Sequence, residues 1–169
     1  NYIHKAVTEY NERQKSKQMI VDARINPGIV MRIQPQEIAQ LFNSLMDNAA
    51  KFSNYGGKIQ LLLFQRFNNI VLSVSDYGAG IAGDQLPALL DPFAHTDNVR
   101  DAEKKGLSLG LYSDKIIVDK LGGTITIRSQ EGAGTMVTIT MPTKREPLQI
   151  QSQQSSQEPE TTSVNKPLN

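Results

Sequence analysis

The feature that most constrains this chain is the stretch Val74–Ile81, in which an alternating apolar run ends at Asp76 and glycines follow two and four residues later. The alternation of Ile70, Leu72 and Val74 predicts a strand that leads a carboxylate into a glycine-rich turn. Glycine permits unusual backbone angles and lacks the Cβ that would keep a ligand away from the backbone. An ionised Asp only accepts hydrogen bonds, which suits an exocyclic amine such as that of adenine. Asp-x-Gly-x-Gly is also a common tight turn, so the ligand-site interpretation depends on the rest of the chain.

Composition limits the classes of function. The 169 residues are enough for one domain with a buried core, and the net charge is +1. Lys and Arg are scattered, so the sequence gives little support for nucleic-acid binding. The absence of cysteine excludes disulfides and thiolate metal sites and fits a reducing cytoplasm. The longest apolar run, Leu61–Phe64, is far shorter than the roughly 20 residues of a membrane helix, so we expect a cytoplasmic domain without membrane contact. The start at Asn1 suggests a piece of a longer protein whose upstream segments carry any membrane anchor.

Three helices and three pairs of strands are predicted from periodicity. Residues 1–17 have apolar residues at helical spacing and are interpreted as the end of a helical stem. His4 lies here without an acidic neighbour that could act as base, which argues against a phosphoacceptor role. A second helix runs from Pro35 to Ser53, and a third follows Gly106 and stops at Gly122. The predicted strand pairs are Met19 to Ile25 with Gly28 to Ile33, Lys58 to Phe67 with Ile70 to Ser75 across an Asn68-Asn69 turn, and Thr124 to Ser129 with Thr135 to Met141.

Two segments lack such periodicity. Residues 82–105 are polar and mixed in charge, apart from a short turn at Leu86–Leu90, and are too long for an ordinary connection. They predict a functional lid or a partly disordered segment. Residues 143–169 are rich in Gln, Ser, Thr, Pro and Glu and predict a disordered tail. The predicted organisation is therefore a stem end at 1–17, a domain at 18–142 and a tail at 143–169.

A polar stripe along the second helix favours a ligand site. Asn48 offers a neutral oxygen that can bind Mg²⁺, and Lys51, one turn later, can reach phosphate oxygens. A solvated face is the ordinary explanation for such a stripe. The glycine-bearing start of the third helix, however, points free N–H groups and a positive dipole end at an anion. Together with the Asp76 turn, these features predict a nucleotide site. The stripe consists of Gln40, Ser44, Asn48 and Lys51.

Five segments in this order resemble the catalytic and ATP-binding domain of sensor histidine kinases, within the wider group that includes gyrase and mismatch-repair ATPases. The resemblance covers about Met19 to Pro142. Any one motif would be weak, but five in the family's order are specific. The segments are Leu41–Ser53 (N box), Asp76–Ile81 (first glycine box), Asp91–Phe93 (F box), Gly106–Leu111 (second glycine box) and Gly132–Thr135 (third glycine box).

The resemblance implies an α+β fold, a two-layer α/β sandwich in which helices cover one face of a mixed, mostly antiparallel sheet (the Bergerat-type ATP-binding fold). It implies that Asn48 coordinates Mg²⁺ and that Lys51 contacts the terminal phosphates of ATP, which makes both catalytic candidates. Asp76 would accept from the adenine amino group, with Thr135 nearby through water. The other residues implied to contact ATP are Phe52, Gly78, Gly80, Ile81, Phe93, Lys105, Gly106, Ser108, Leu109 and Gly110.

Three positions depart from the family pattern. Ser44 stands where histidine kinases commonly have Asn and the related ATPases have a catalytic Glu, which disfavours a hydrolytic ATPase. Ser108 replaces a glycine, and His95 replaces an Arg of the lid, for which Lys104 and Lys105 could compensate.

The phosphoacceptor pattern, a His followed by an acidic residue and a Pro-Leu, does not occur in this sequence. The resemblance implies a protein-histidine kinase that transfers the γ-phosphate of ATP to a His upstream of Asn1, on a dimerisation domain of a homodimer. The phosphoryl group would then pass to an Asp of a response regulator. Two alternatives remain open at this stage: a nucleotide-binding pseudokinase module, motivated by the three departures, and a related protein-serine kinase.

Overall fold

Five strands and three α-helices make up the regular structure of the residues that the computed structural model describes, which are 2–13, 18–90 and 108–143. The sheet order is β1-β2-β3-β5-β4, in which β1 and β2 are parallel and the other neighbours antiparallel. The helices are α1 (Tyr2–Arg13), α2 (Pro35–Phe52) and α3 (Ser108–Lys120), with a short 3-10 helix at Leu86–Leu90. The strands are β1 (Ile20–Ile25), β2 (Lys58–Arg66), β3 (Asn69–Asp76), β4 (Thr124–Gln130) and β5 (Gly134–Pro142).

The core lies between one face of the sheet and the helices. Alternate residues of the central strands are almost fully buried, because period-two alternation places them all on the helix-covered face. Helix α2 starts with Pro35, and its Glu37 carboxylate accepts a 3.3 Å hydrogen bond from the backbone N–H of Gln34. The apolar stripe of α2 then packs on the sheet. The buried residues of α2 are Leu41, Phe42, Leu45, Met46, Ala49 and Ala50, and those of the central strands include Ile59, Leu61, Ile70, Leu72, Val74, Val137 and Ile139.

Helix α1 confirms the predicted N-terminal helix and joins the same core. Ile3, Val7 and Tyr10 are buried, and the Tyr10 hydroxyl donates a 2.9 Å hydrogen bond to the carbonyl of Met46 in α2. The stem interpretation places this helix outside the catalytic unit, whereas its apolar face packs within it. The boundary drawn at residue 17 stays a prediction.

The predicted strand at Gly28 to Ile33 was wrong. β1 pairs with β2 in parallel, so the chain crosses over through α2 instead of turning back at Asn26. The segment that follows has no strand pairing, but Ile29, Met31 and Ile33 pack against the core, which explains their alternation with exposed residues. Because β1 and its parallel partner β2 are separated by helix α2, no turn sequence marks their pairing.

The two antiparallel hairpins are confirmed, with one shift. Arg66 pairs with Asn69, so the tight turn consists of Phe67 and Asn68, one residue earlier than expected. Phe67, with φ of 53°, adopts the positive angle that had been assigned to Asn.

The helix predicted after Gly106 begins at Ser108. Several of the predicted features lie outside the described residues, namely the F box, His95, Lys104, Lys105, Gly106 and the tail beyond Thr143. None of the helices in residues 2–13, 18–90 and 108–143 is long and apolar enough to cross a membrane.

Candidate functional site

A small pocket lies between α2, α3 and the sheet, with Asp76 in its wall. Its lining is mostly apolar and has three polar members, an arrangement that suits a flat ring system with a polar edge. The free space is only about 20 Å³, roughly the volume that one water molecule needs. The space that the described residues enclose is therefore smaller than a nucleotide base. The lining residues are Leu45, Asn48, Ala49, Phe52, Val74, Asp76, Ile81, Leu111, Thr135 and Val137.

Asp76 is the carboxylate that the turn was expected to deliver. It is buried at the end of β3, and its Oδ1 accepts a 2.9 Å hydrogen bond from the backbone N–H of Gly78. Burial raises the pKa of Asp76, and hydrogen bonds from the backbone N–H groups of Gly78 and Thr135 oppose that rise. The backbone thus fixes the carboxylate and partly offsets the preference of a buried carboxyl group for its protonated form.

The glycines that follow Asp76 pack closely against the protein's own backbone. A Cβ on Gly78 would lie 1.8 Å from the carbonyl oxygen of Phe52, and one on Gly80, whose φ is +68°, would lie 2.0 Å from that of Gln130. The missing side chains therefore make room for the protein's own backbone, and the contact of these glycines with a ligand stays a prediction. The backbone N–H of Ala79 donates to Phe52 O at 3.2 Å, which holds the turn against the end of α2.

Ser129 is a site residue that sequence reasoning missed. Its hydroxyl accepts a 2.8 Å hydrogen bond from the backbone N–H of Ile81 and lies 2.8 Å from both the carbonyl of Gly134 and the hydroxyl of Thr135. It thereby ties the first glycine box to the β4–β5 hairpin, on which Thr135 faces Asp76. Ser129 pairs directly with Thr135 in the ladder, so the predicted hairpin register could have located it.

A buried polar cluster connects α2 with α3 beside the pocket. A Cβ added to Gly110 would lie 3.0 Å from Ser44 Oγ and 3.7 Å from Asn48 Nδ2, so α3 approaches the polar stripe of α2 closely. Asp114, one turn after Gly110, is 0% exposed. Within the described part of the chain, Ser44 Oγ, Asn48 Nδ2 and both Asp114 carboxylate oxygens are buried and without a hydrogen-bond partner.

Burial raises the pKa of the Asp114 carboxyl to about 7, and the nearby Ser44 hydroxyl opposes that rise. Sequence reasoning missed Asp114 because it lies in a helix whose other marked residues are apolar. The signal was present, since Leu111, Asp114, Val118 and Leu121 follow one helical stripe and all are buried. A single carboxylate in such a stripe is unusual and marks a position worth testing.

Only some of the other predicted site residues line the pocket. Phe52, Ile81 and Thr135 line the pocket together with Asn48 and Asp76, as the nucleotide hypothesis requires. Lys51 is exposed, and its Nζ lies 5.6 Å from the centroid of the Phe52 ring, outside the pocket lining. At the second glycine box, the backbone of Ser108 and Leu109 forms the first turn of α3, which places the N-terminal end of a helix near Asn48.

Comparison with known proteins decides the family. Residues 33–145, more than half of the chain, match the family described as histidine kinase-, DNA gyrase B- and HSP90-like ATPase. The chain belongs to this ATPase family. The fold expected from the five motifs is therefore confirmed. The family match also identifies the chain as an ATP-binding domain, and its curated relatives are named sensor proteins and sensor kinases.

Two relatives show how much of a whole protein this ATPase-family domain represents. Sensor protein CiaH of Streptococcus pneumoniae is 36% identical over 112 residues, which are 64% of this chain and 25% of that protein. The autoinducer 2 sensor kinase/phosphatase LuxQ of Vibrio harveyi is 31% identical over 135 residues, 77% of this chain and 16% of that protein. The chain thus spans a quarter or less of the length of these two relatives.

Solved structures agree on the fold. The catalytic domain of the histidine kinase ThkA superimposes with a TM-score of 0.71 at 23% sequence identity, covering 86% of this chain and 93% of that one. At this identity the likeness supports the α+β architecture alone, independently of the residues in the site.

Proposed function

We propose that this chain is the catalytic domain of a two-component sensor histidine kinase that acts as a homodimer. It would transfer the γ-phosphoryl group of ATP to a histidine on an upstream dimerisation domain, from which the group passes to an Asp of a response regulator. The observation that carries the proposal is the buried, backbone-fixed Asp76 in an apolar pocket that also contains Asn48 and Thr135. Family membership supports it, as do relatives named a sensor protein and a sensor kinase/phosphatase.

Adenine recognition follows from the chemistry of the pocket wall. The Asp76 carboxylate accepts a hydrogen bond from the exocyclic amino group, and the apolar lining contacts the faces of the ring. Thr135 lies beside Asp76 and is held by Ser129, so its hydroxyl is available to a bridging water. A guanine base presents an oxygen at the corresponding position, which an ionised carboxylate does not bind.

Mg²⁺ fits this site as an ion that enters with the nucleotide. In residues 2–13, 18–90 and 108–143 there is no group of three or more His, Cys, Asp or Glu side chains that could hold a metal without it. Mg²⁺ usually keeps several waters and binds substrate phosphates with few protein ligands. Asn48, whose Nδ2 is buried without a partner, has the side-chain oxygen to supply one such ligand. Bound there, the ion would neutralise phosphate charge.

The protein groups around the phosphates hold and orient them. The first turn of α3 offers free backbone N–H groups to the phosphate chain. Lys51 can swing its flexible stem from the Phe52 ring toward the terminal phosphates. The lid residues Phe93, Lys105 and Gly106 stay predictions outside the described residues.

Transfer requires no covalent intermediate on this domain. An imidazole nitrogen of the acceptor attacks the γ-phosphorus, the bond to the β-γ bridging oxygen breaks, ADP leaves and the imidazole loses its N–H proton. The domain contributes by positioning and charge stabilisation. Ser44 provides no carboxylate to activate water, which favours transfer to the acceptor over hydrolysis.

The test uses radiolabelled ATP with the chain extended by its natural upstream sequence. An acid-labile, alkali-stable label on the protein supports histidine phosphorylation. An acid-stable, alkali-labile label would indicate a serine-directed kinase and overturn the proposal. Nucleotide binding without any label would indicate a nucleotide-binding interaction module instead.

A further inference from the structure

The interhelical cluster of Ser44, Asn48 and Asp114 has no role in the proposed mechanism apart from the oxygen of Asn48. Four of its polar atoms are buried and unpartnered within the described residues, although they lie together at the α2–α3 contact. Unpaired buried polar atoms cost roughly 1–3 kcal/mol each, so a cluster of them in one interface calls for a functional explanation.

The donors and acceptors of the cluster match one another. Asn48 and Ser44 are one turn apart on α2, so they lie on the same face of that helix. The Asn48 side-chain nitrogen can only donate, the Ser44 hydroxyl can accept and donate, and an ionised Asp114 can only accept. A chain from Asn48 Nδ2 through Ser44 Oγ to the Asp114 carboxylate would give a partner to Asn48 Nδ2, to Ser44 Oγ and to one Asp114 oxygen.

The direction of this chain has a consequence for Asn48. If its Nδ2 donates inward to Ser44, its Oδ1 is turned away from the helix contact and toward the pocket that Asn48 lines. A ligating group whose other end is held by a neighbour is oriented before the metal arrives. An amide that is free to rotate by half a turn can present its nitrogen to the metal instead of its oxygen.

We propose that Asp114 is a positioning residue for the metal end of the nucleotide site: through Ser44 it holds the Asn48 amide with Oδ1 facing the bound Mg²⁺. This inference rests on the proposed function, because it takes Asn48 as the Mg²⁺ ligand. A small relative shift of α2 and α3 on nucleotide binding brings the three groups within hydrogen-bond distance.

The test compares calorimetric binding of a non-hydrolysable ATP analogue with and without Mg²⁺ in the wild type, Asp114→Asn and Ser44→Ala. The factor by which Mg²⁺ tightens binding is expected to fall roughly 10-fold in both variants, since loss of an outer partner typically costs this much in metal affinity. Binding of the Mg²⁺-free analogue is expected to stay unchanged. The double variant is expected to resemble either single one, because the residues act in series.

Asp119→Asn is the matched control. Asp119 lies on the same helix, but its carboxylate contacts Lys115 at the surface. Its replacement is expected to leave the Mg²⁺ effect intact.

A second measurement does not involve the metal. The side-chain amide signals of Asn48 in the NMR spectrum of the protein saturated with the Mg²⁺-free analogue are expected to shift in Asp114→Asn and Ser44→Ala but not in Asp119→Asn. Unchanged Asn48 signals in both variants would overturn the inference.

The outcomes separate this inference from the proposed function. If Asn48→Ala removes the Mg²⁺ effect while Asp114→Asn keeps it, the inference fails and the proposed function stands. If Asp114→Asn weakens binding equally with and without Mg²⁺, its role is structural and the inference fails. If Mg²⁺ has no effect in the wild type, the proposed role of Asn48 fails and takes this inference with it.

Discussion

The backbone N–H of Gly78 donates a 2.9 Å hydrogen bond to Oδ1 of Asp76, so the residue that follows the strand by two positions fixes the carboxylate at its end. The carboxylate of Asp76 lies in the pocket wall, while the Cα of Gly78 is packed against the carbonyl of Phe52. One short turn therefore joins the carboxylate that we propose binds adenine to the end of helix α2. We therefore expect substitution of Asp76 to lower nucleotide affinity and substitution of Gly78 to lower the stability of the fold.

Asp76→Asn is expected to weaken binding of an ATP analogue about 10- to 100-fold, because a hydrogen bond to a charged group contributes about 1.5–3 kcal/mol. The amide can also present a donor where adenine requires an acceptor, so the preference for adenine over guanine nucleotides should shrink. Calorimetric titration with both nucleotides measures this. Asp84→Asn, at an exposed position before the 3-10 helix, is the control. Full adenine affinity in Asp76→Asn would remove Asp76 from the site.

Gly78→Ala is expected to destabilise the fold by more than about 2 kcal/mol, because its Cβ would lie 1.8 Å from the Phe52 carbonyl oxygen and force the turn away from α2. Thermal and denaturant unfolding measure the loss. Gly83→Ala is a close control, since a Cβ there has no atom within 4 Å. Equal stability of the two variants would mean that Gly78 serves only to admit a ligand.

Ser129→Ala is expected to loosen the first glycine box from the β4–β5 hairpin, leaving the Ile81 N–H without its partner. We expect a loss of about 1–3 kcal/mol in stability and a weaker affinity for adenine nucleotides, since Thr135 also loses its contact. Ser73→Ala is the control: its hydroxyl lies 3.0 Å from that of Thr138 on the opposite face of the sheet from Asp76. A lower nucleotide affinity in Ser73→Ala as well would point to a general loss of sheet stability.

The stability of the protein is expected to depend on pH through Asp114. Its carboxyl has a pKa of about 7 in the folded protein against an ordinary value of 3.8, so the folded state binds this proton more tightly. The contribution of Asp114 to the free energy of unfolding is therefore highest below pH 3.8, and it falls as the pH rises to about 7. The full difference corresponds to about 4 kcal/mol.

Asp114→Asn is expected to remove that part of the pH dependence and to raise the melting temperature above pH 7. Unfolding curves between pH 5 and pH 8, in roughly half-unit steps, compare it with the wild type and with Asp119→Asn. A variant less stable than the wild type at pH 8 would show that the carboxylate is well paired in the folded protein. A stability gain accompanied by a weaker Mg²⁺ effect would fit a residue kept for function at a cost in stability.

Sequence patterns predicted the elements whose residues lie close together along the chain. The α2 stripe that contains Leu41 and Leu45 and the hairpins around Asn68 and Gly132 were found, because each depends on residues a few positions apart. The pairing of β1 with β2 was missed because a helix separates them in sequence. The extended segment after Gly28 imitates a strand because alternate side chains pack on the core.

In the candidate site, too, residues within local motifs could be predicted, whereas residues that act through distant contacts could not. Asp76, Asn48 and Thr135 could be predicted because each lies in a recognisable motif, and all three line the pocket. Ser129 and Asp114 could not be predicted with the same ease, since their roles come from contacts across the hairpin and across the α2–α3 interface. The reason for Gly78 was also hidden, because the carbonyl that excludes its Cβ belongs to a helix end more than twenty residues earlier.

The most direct test of the account is calorimetric titration of this domain with a non-hydrolysable ATP analogue, with and without Mg²⁺. We expect saturable binding that Mg²⁺ tightens and that Asp76→Asn weakens, because the proposed site binds adenine at Asp76 and the phosphates near Asn48. A folded protein that fails to bind the analogue at millimolar concentration, or binds it equally well in the Asp76→Asn variant, would contradict the proposed nucleotide site.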